Sequence, residues 1–535
     1  VKSEKPILGN YFKLPNPGLR AYFDHNVSGN SEDYRPPFWN KMDRSKVLQL
    51  WQNILDASSV KDDLPSLYQY EMDMKSKVGP MSIQLPLSER IESIEQYYTG
   101  VKEPGEPIAP AAIDATCKFF SKAGGIRVRS REKVVENMRL NTNSGSWLFT
   151  KRRKVVQETL NSTFVVNYGL PHVITDHGEY DLCAVLGWRG QEGGISEDDV
   201  KQRVVWMMPF LLNIEELKFY QPAVEAIQHN DLIPAYISMD RVDQEVTALF
   251  DTKAKDDLVI CTDFTKFDQH FNRNLQTAAK TVISSLLTKG PTSKEWLDNI
   301  FDVKFNIPLV CSEDLLYSGF HGMGSGSGGT NFDECMAHKC LQFEAALDAG
   351  AELNVHSMAY GDDGILTYPG ITADQVIQTY TKHGVEMNAT KQYVSTHDCV
   401  VLRRWHGTEY RVNGNMVGVY STFRALGRLL AQERYYDPDK WGPEMVTLRA
   451  LSIIENCKWS PVFHQFIDFV ISGDKYKLGL AIPGFFDRLT KLASEAIESF
   501  TDFLGYTKTL QEDAKQTTAG INDWEVVKYL KTKLR

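Results

Sequence analysis

Asp362 and Asp363 stand side by side in a run that reads Asn354-Val-His-Ser-Met-Ala-Tyr-Gly-Asp-Asp-Gly-Ile-Leu-Thr-Tyr368. β-formers lead to Tyr360, Gly361 to Gly364 turn the chain, and Ile365 to Tyr368 return as a second strand. Gly and Asp tolerate the positive φ that tight hairpins require. Adjacent carboxylates on a rigid tip repel each other unless a cation compensates them. An arbitrary Asp-Asp-Gly is a solvated turn, so partners elsewhere in the chain must decide. Asp263 and Asp268 are the first of these, in Asp263-Phe-Thr-Lys-Phe-Asp268 after the apolar β run Leu258 to Thr262. On a continuous strand they would face opposite sides, so the chain must turn between them to serve one site. Phe271, Leu275, Ala278, Val282 and Leu286 recur at helical spacing and predict a helix that begins near Asp268, an acceptable N-cap. Gly290-Pro291 ends it, and Thr292-x-x-Glu295 reads as a capping box for the next helix.

Other groups could bind an anionic ligand beside these acids. Gly319 to Thr330 is the Gly-richest stretch, and Ser325, Gly326, Thr330 and Asn331 lie where it opens a helix that ends at Gly350. Such loops expose backbone N–H groups and let a ligand approach closely. Cys335, His338 and Cys340 cluster on that helix, but without a second ligand pair they make a poor zinc site. Lys201 and Arg203 share one face of a strand that Pro209 ends, giving two fixed cations for phosphate. A helical run from Ile214 to Tyr220 follows, which Pro222 stops or kinks. Arg127, Arg129 and Arg131 alternate as on one face of a strand, and Lys151-Arg152-Arg153-Lys154 follows. Between them Asn141 to Ser146, with Thr142, Ser144 and Gly145, reads as a flexible loop suited to phosphate contacts.

The elements that must position these residues belong to a chain of 535 residues, too long for one ordinary core. Net charge is −10 and the pI about 5.7, which argues against a surface that binds nucleic acid everywhere but leaves room for a basic channel in an acidic shell. Eight scattered cysteines without a Cys-x-x-Cys pair read as reduced thiols of an intracellular protein. No signal peptide opens the chain, and its most apolar run, Val204 to Ile214, is too short to span a bilayer, so a soluble protein without membrane contact is expected. Residues 1–60, rich in Pro, Asn and aromatics, read as an extended segment that crosses other parts of the protein. Asn413-Gly414 signals a two-residue hairpin. From Ser421 the pattern is mainly helical, with runs at Thr422 to Glu433, Pro443 to Asn456 and Pro483 to Phe503, and the polar last 30 residues read as a mobile tail.

In this order and at these separations, strand-Asp-x4-Asp, Ser-Gly-x-x-x-Thr-Asn opening a helix and Gly-Asp-Asp on a hairpin resemble the palm of viral RNA-dependent RNA polymerases. The wording of Asp263–Asp268, Ser325–Asn331 and Ser421-Thr-Phe-Arg-Ala-Leu-Gly-Arg428 is similar to that of picobirnavirus polymerases, from small segmented double-stranded RNA viruses. The motifs cover roughly residues 140–430. The resemblance implies an α+β right-hand polymerase, mainly α outside a palm with an antiparallel sheet, closed around a tunnel. It implies an N-terminal bridging segment (1–60), fingers (61–215 and 270–318), a palm (216–269 and 319–406), and a thumb with a C-terminal tail (407–535).

The resemblance also implies roles. Asp263, Asp362 and Asp363 would hold two Mg²⁺ ions, with Mn²⁺ as the alternative, for nucleotidyl transfer from NTPs to an RNA 3′-end. Asp268 would read the ribose 2′-hydroxyl, and Lys201 and Arg203 would grip the triphosphate. Ser325, Gly326, Thr330 and Asn331 would line the nucleotide site. Thr142, Ser144 and Gly145 would meet the template, and Cys399 to His406, with Arg403 and Arg404, would form a primer grip. Lys391 falls where the family often has a general acid for the pyrophosphate leaving group. Many relatives place Asn four residues after the Thr; here that position is Glu334, so Asn331 or Glu334 takes over ribose selection. The expected partners are RNA template and product duplex, NTPs and a viral capsid protein, for a monomer inside the virion or host cytoplasm. The nearest alternative is a reverse transcriptase, given Phe264 directly after Asp263; a second is a non-catalytic RNA-binding or capsid protein.

Overall fold

Four small sheets are set among helices in the computed structural model, which describes residues 2–499 and 520–534. The sheet that carries the acidic residues runs β10 (Met358–Tyr360), β11 (Asp363–Leu366), β7 (Val259–Thr262) and β12 (Tyr393–Ser395), with every neighbour antiparallel. β7 is Val-Ile-Cys-Thr and buried throughout, as a central strand covered on both faces must be. Behind it pack the helices α2 (Phe210–His229), α3 (Arg273–Leu286) and α4 (Thr330–Asp348), with Phe219, Leu275, Ile283, Met336 and Cys340 in the largest apolar core.

A second sheet has the order β1 (Lys2–Glu4), β9 (Leu315–Ser318), β8 (Leu309–Ser312), β5 (Ala184–Gln191) and β6 (Lys201–Met207), antiparallel except for β5 with β8. A third runs β13 (Asp398–Val401), β14 (Arg404–Gly407) and β15 (Val419–Tyr420). The fourth, β2 (Thr163–Asn167), β3 (Leu170–Thr175) and β4 (Gly178–Asp181), leaves Tyr168 fully exposed at its first turn.

The N-terminal residues do cross the molecule, but mostly as helices. β1 adds to the edge of the five-stranded sheet, and Leu19 and Phe23 of the helix Pro17–Ser28 pack on Val185, Val310 and Leu316 of the same sheet. Helix α1 (Arg44–Ala57) then buries Val47, Leu48, Trp51 and Leu55 among the helices of the C-terminal region. Trp51 Nε1 donates to Thr422 Oγ1 at 2.8 Å, the first residue of α5 (Thr422–Leu429), and Arg44 Nη2 donates to the Leu430 carbonyl at 3.0 Å.

Several sequence expectations give way to packing. α2 runs through Pro222, because Phe219, Tyr220, Ala223 and Ile227 bury both flanks and outweigh the one lost hydrogen bond. Asp268 opens only a single 3₁₀ turn, and α3 starts at Arg273, where the Asn272 side chain accepts from Asn274 N at 2.9 Å. The next helix begins at Pro291 behind Gly290 with no side-chain cap, so Thr292 and Glu295 form no capping box. Arg127 to Arg131 is not a strand: Arg129 pairs with Glu225, and Arg131 starts a short helix and donates to Glu215 at 2.6 Å. Asn413-Gly414 makes a tight turn with a single Val412–Asn415 bridge rather than a strand pair. The run from Pro483 yields the helix Leu489–Ser499; its remainder to Phe503, like much of the expected tail, lies outside the described residues. The chain's end is no loose tail: Glu525–Thr532 is a helix that buries Val526, Val527 and Leu530, and the Glu455 carboxylate caps it by accepting from Glu525 N and Val526 N at 2.9 and 3.1 Å. Among the described residues no helix is long and apolar enough to cross a membrane.

Candidate active site

The Tyr360 to Asp363 hairpin is tighter than the sequence suggested. Tyr360 pairs with Asp363, so only Gly361 and Asp362 form the turn, and Asp363 is already the first residue of β11. Gly361 has φ +62°, a left-handed conformation that glycine takes at no steric cost. β11 pairs with β7 through Gly364 opposite Thr262, so Asp363 and Asp263 leave the sheet at the same end. The acidic groups of both segments thereby meet. Burial raises the Asp362 carboxyl above its ordinary range, and the charges of Asp268 and then Asp263 raise it further. Asp362 itself stays exposed at the turn.

Asp263 is raised by burial and drawn back by Lys391 and Lys77. Its backbone is fixed by Gln392, whose Oε1 accepts from Asp263 N at 2.8 Å and whose Nε2 donates to Asp263 O at 2.9 Å. Asp363 is turned the other way. Its Oδ2 accepts from Leu402 N at 2.7 Å, tying the hairpin to the turn between β13 and β14, and burial pushes it up to about 7. Glu334 of α4 is buried, with Oε1 lacking a hydrogen-bond partner; burial and the charges of Asp268 and Asp362 hold its carboxyl well above the usual range.

Asp268 is fixed by its backbone, whose carbonyl accepts from Met323 N at 2.8 Å as the Gly-rich stretch passes. Arg203 stands exposed on β6 with Lys201 on the same face, and its charge lowers Asp362. β6 also joins the Gly-rich loop directly: Trp206 N donates to Ser325 Oγ at 3.2 Å, and a Cβ on Gly326 would fall 1.8 Å from the Trp206 carbonyl oxygen. Only glycine fits there. Thr330 Oγ1 closes the loop onto the carbonyls of Gly324 and Ser325, each at 3.2 Å. Asn331 Oδ1 accepts from Tyr236 OH at 2.8 Å and from Cys335 Sγ at 3.3 Å, which leaves Nδ2, beside Gly361, to face the hairpin.

Cys335 and His338, weighed from sequence as weak zinc ligands, instead hold the hairpin. Gly361 N donates to Cys335 Sγ at 3.3 Å and His338 Nδ1 meets Gly361 O at 2.9 Å. Phe264 packs under the site against Phe267, with ring centroids 4.3 Å apart, and does not stand over it as a sugar gate would.

The loop at 141–146 is built rather than flexible. Ser144 N donates to Thr150 O at 2.6 Å, Thr150 N to Ser144 Oγ at 3.0 Å, and Gly145 takes φ +63°. Ser144 is therefore buried and structural, while Thr142 Oγ1 is buried without a partner. Arg403 is exposed at the β13–β14 turn, whereas Arg404 is buried over the Tyr420 ring and does not reach the surface expected for it.

Sequence reasoning missed Lys77, Gln392, Tyr236 and the roles of Cys335 and His338. Only the last pair left a signal: three residues apart, they share one face of a helix.

Oxygen donors alone, several raised by one another, suit a hard cation such as Mg²⁺ better than zinc. Among the described residues no three or more His, Cys, Asp or Glu already converge as a metal cage.

A family model described as viral RNA-dependent RNA polymerase matches residues 193–458, which include the strand with Asp263, the Gly-rich loop and the Asp362 hairpin. A human picobirnavirus (strain Human/Thailand/Hy005102/-) protein named potential RNA-dependent RNA polymerase is 50% identical over 98% of this chain and 99% of its own length. The crystal structure of the RNA-dependent RNA polymerase of a human picobirnavirus superposes with a TM-score of 0.93 at 49% identity, covering 98% of this chain and 99% of that one. An insertion-loop deletion mutant of such an enzyme matches at TM-score 0.92 and 47% identity with the same coverage. The polymerase fold, the order of the motifs and the near full-length relationship agree, and the chain belongs to the viral RNA-dependent RNA polymerases.

Proposed function

We propose that this polymerase replicates and transcribes a double-stranded RNA genome by two-metal nucleotidyl transfer, adding nucleoside monophosphates to an RNA 3′-end and releasing pyrophosphate. The observation that carries the reading is the meeting of Asp263, Asp268 and Asp362 at one end of the β7–β11 pair, with Arg203 and Lys391 facing them. Asp263 and Asp362 would hold two Mg²⁺ ions, or Mn²⁺, with Asp363 alongside through the oxygen not bound to Leu402. When bound, the ions would supply charge neutralisation at the triphosphate and activation of the 3′-hydroxyl.

The protein's own groups do the rest. Lys201 and Arg203 orient the triphosphate from the β6 face, and Asp268 accepts a hydrogen bond from the ribose 2′-hydroxyl. Lys391, next to Asp263, donates a proton to the leaving pyrophosphate oxygen. Thr142 and Gly145 face the template, and Arg403 at the β13–β14 turn steadies the growing strand. We assign residues 61–215 and 270–318 to fingers, 216–269 and 319–406 to the palm, and 407–535 to the thumb and tail. Residues 1–60 join fingers to thumb and close a tunnel over the site; the links from β1 to β9 and from Trp51 to Thr422 support this. A capsid protein is the proposed partner, with the enzyme working as a monomer within the virion or the host cytoplasm.

Asp362→Asn tests the reading. Extension of an RNA strand on a defined single-stranded template with Mg²⁺ and all four NTPs is expected to vanish while thermal unfolding is unchanged. Retained extension refutes the metal role. Running the native enzyme with dNTPs in place of rNTPs separates it from a reverse transcriptase, a reading that the burial of Phe264 already disfavours.

A further inference from the structure

A line of hydrogen bonds runs from the 141–146 loop to the Gly-rich loop, with Asn213 at its centre. At one end Arg152 is tied to the first loop: its backbone N donates to Thr142 O at 3.0 Å, and its Nη1 to Arg139 O at 3.2 Å. Its Nη2 donates to Asn213 Oδ1 at 2.7 Å. Asn213 Nδ2 in turn donates to Glu216 Oε1 at 3.1 Å and to Gly326 O at 3.2 Å. Glu216 then accepts from Gly328 N at 3.3 Å and from Ser327 Oγ.

The orientation of the Asn213 amide is forced. A guanidinium only donates, and a carbonyl or carboxylate only accepts, so the Asn213 amide can take one orientation and uses its oxygen and both N–H groups in it. Asn213 is 5% exposed and Glu216 0%, so no solvent replaces a bond that breaks. Glu216 also lies beside the buried Lys304, which is 3.0 Å from Asp333 on α4. Displacing the Gly-rich loop therefore strands a buried amide, and displacing Arg152 leaves its acceptor oxygen empty.

We propose that Asn213 is a positioning residue that couples the two loops, so that what occupies the 141–146 loop alters how the Gly-rich loop receives its ligand. On the functional reading above, the RNA template thereby tunes binding of the incoming NTP. Asn213 touches neither substrate and acts through Gly326 and Glu216.

A double-mutant cycle on the full chain tests this, with Arg152→Gln at one end and Ser327→Ala at the other. Single-nucleotide incorporation gives NTP KM and kcat, and fluorescence anisotropy gives affinity for a labelled single-stranded RNA. Each single change is expected to raise NTP KM with little change in kcat. Their combined effect on kcat/KM should depart from the product of the single effects by about threefold or more. In an Asn213→Ala background, or Asn213→Asp should the alanine variant not fold, the departure should disappear. Single effects that multiply to within less than about threefold overturn the coupling and leave the loop assignments standing. Single changes that move neither RNA affinity nor NTP KM overturn both.

Discussion

His338 Nδ1 lies 2.9 Å from the carbonyl oxygen of Gly361, and Cys335, one turn earlier on the same helix, takes the Gly361 N–H. Burial drives the His338 imidazole down to about 4, so it is neutral at physiological pH and donates its Nδ1 proton to that carbonyl. A Cβ on Gly364 would fall 2.6 Å from His338 Cε1, so ring and hairpin meet without slack. Asp362 follows Gly361 directly. The helix that carries Asn331 and Glu334 at one end thus also fixes the carboxylate across the site.

Replacing His338 by Leu should act on both activity and stability. Losing the Gly361 anchor loosens Asp362, and a loosely held group costs roughly 10²-fold in kcat. Stability has a defined pH sign. An imidazole whose folded pKa lies below its unfolded value destabilises the fold as pH falls from 6.5 towards 4, because the unfolded chain takes up the proton first. The variant escapes that penalty. Its stability deficit against the native protein should therefore shrink by about 2 kcal/mol between pH 7.5 and pH 5. Urea unfolding at both pH values checks this, and a deficit that stays constant would mean the ring is not held neutral.

Much of the site was legible because its residues are local in sequence. Asp263, Asp268, the Gly-rich loop and the Asp362 hairpin each carry their own turn chemistry, and their order supplied the family. What escaped was set at long range. Gln392 clamps Asp263 from 129 positions away, and Tyr236 occupies Asn331 from 95 positions away; no periodicity in the chain announces either. Composition misled where packing ruled. Pro222 reads as a helix stop but sits in a helix buried on both sides of it, and the alternating Arg129 and Arg131 are tied to Glu225 and Glu215 of α2 rather than lining a strand. The same cause undid Arg404, whose charge suggested RNA while its place in β14 turned it into the core.

Lys391 is exposed, and its charge draws the raised Asp263 carboxyl back down. If it protonates the leaving pyrophosphate, Lys391→Ala should lower single-turnover incorporation by roughly 10²-fold while NTP KM shifts little. Triphosphates with a more acidic leaving group should narrow the gap, since they need the acid less. An equal loss with every leaving group would leave Lys391 a purely electrostatic role.

Arg44 anchors the N-terminal segment. It forms a fork with Asp33, at 2.5 and 2.8 Å, and donates to Leu430 O, and it is 6% exposed. Arg44→Ala strands the Asp33 carboxylate and should cost roughly 2–4 kcal/mol in denaturant unfolding. Lys294→Ala breaks an open surface pair, whose members are 76% and 54% exposed, and should cost less than about 0.5 kcal/mol. Similar costs for both would mean that the Arg44 contacts do not hold the N-terminal segment in place.

Ribose selection turns on which side chains are free to meet a 2′-hydroxyl. Asn331 can meet it only as a donor, through the Nδ2 that lies beside Gly361, since its oxygen already accepts from Tyr236 and Cys335. Glu334 has an unpartnered buried oxygen and shares its charge environment with Asp268. A site built to hydrogen-bond a hydroxyl rejects the analogue that lacks it, because its own polar groups are left unpaired. Asp268→Ala and Glu334→Ala should therefore cut the preference for CTP over dCTP, measured as the ratio of kcat/KM values, by roughly 10²-fold or more. Asn331→Ala should leave that ratio within about tenfold, because it removes one donor to the 2′-oxygen while Asp268 and Glu334 still accept its hydrogen. A ratio that collapses in Asn331→Ala and holds in Glu334→Ala would reverse the assignment and return ribose reading to the residue after Thr330.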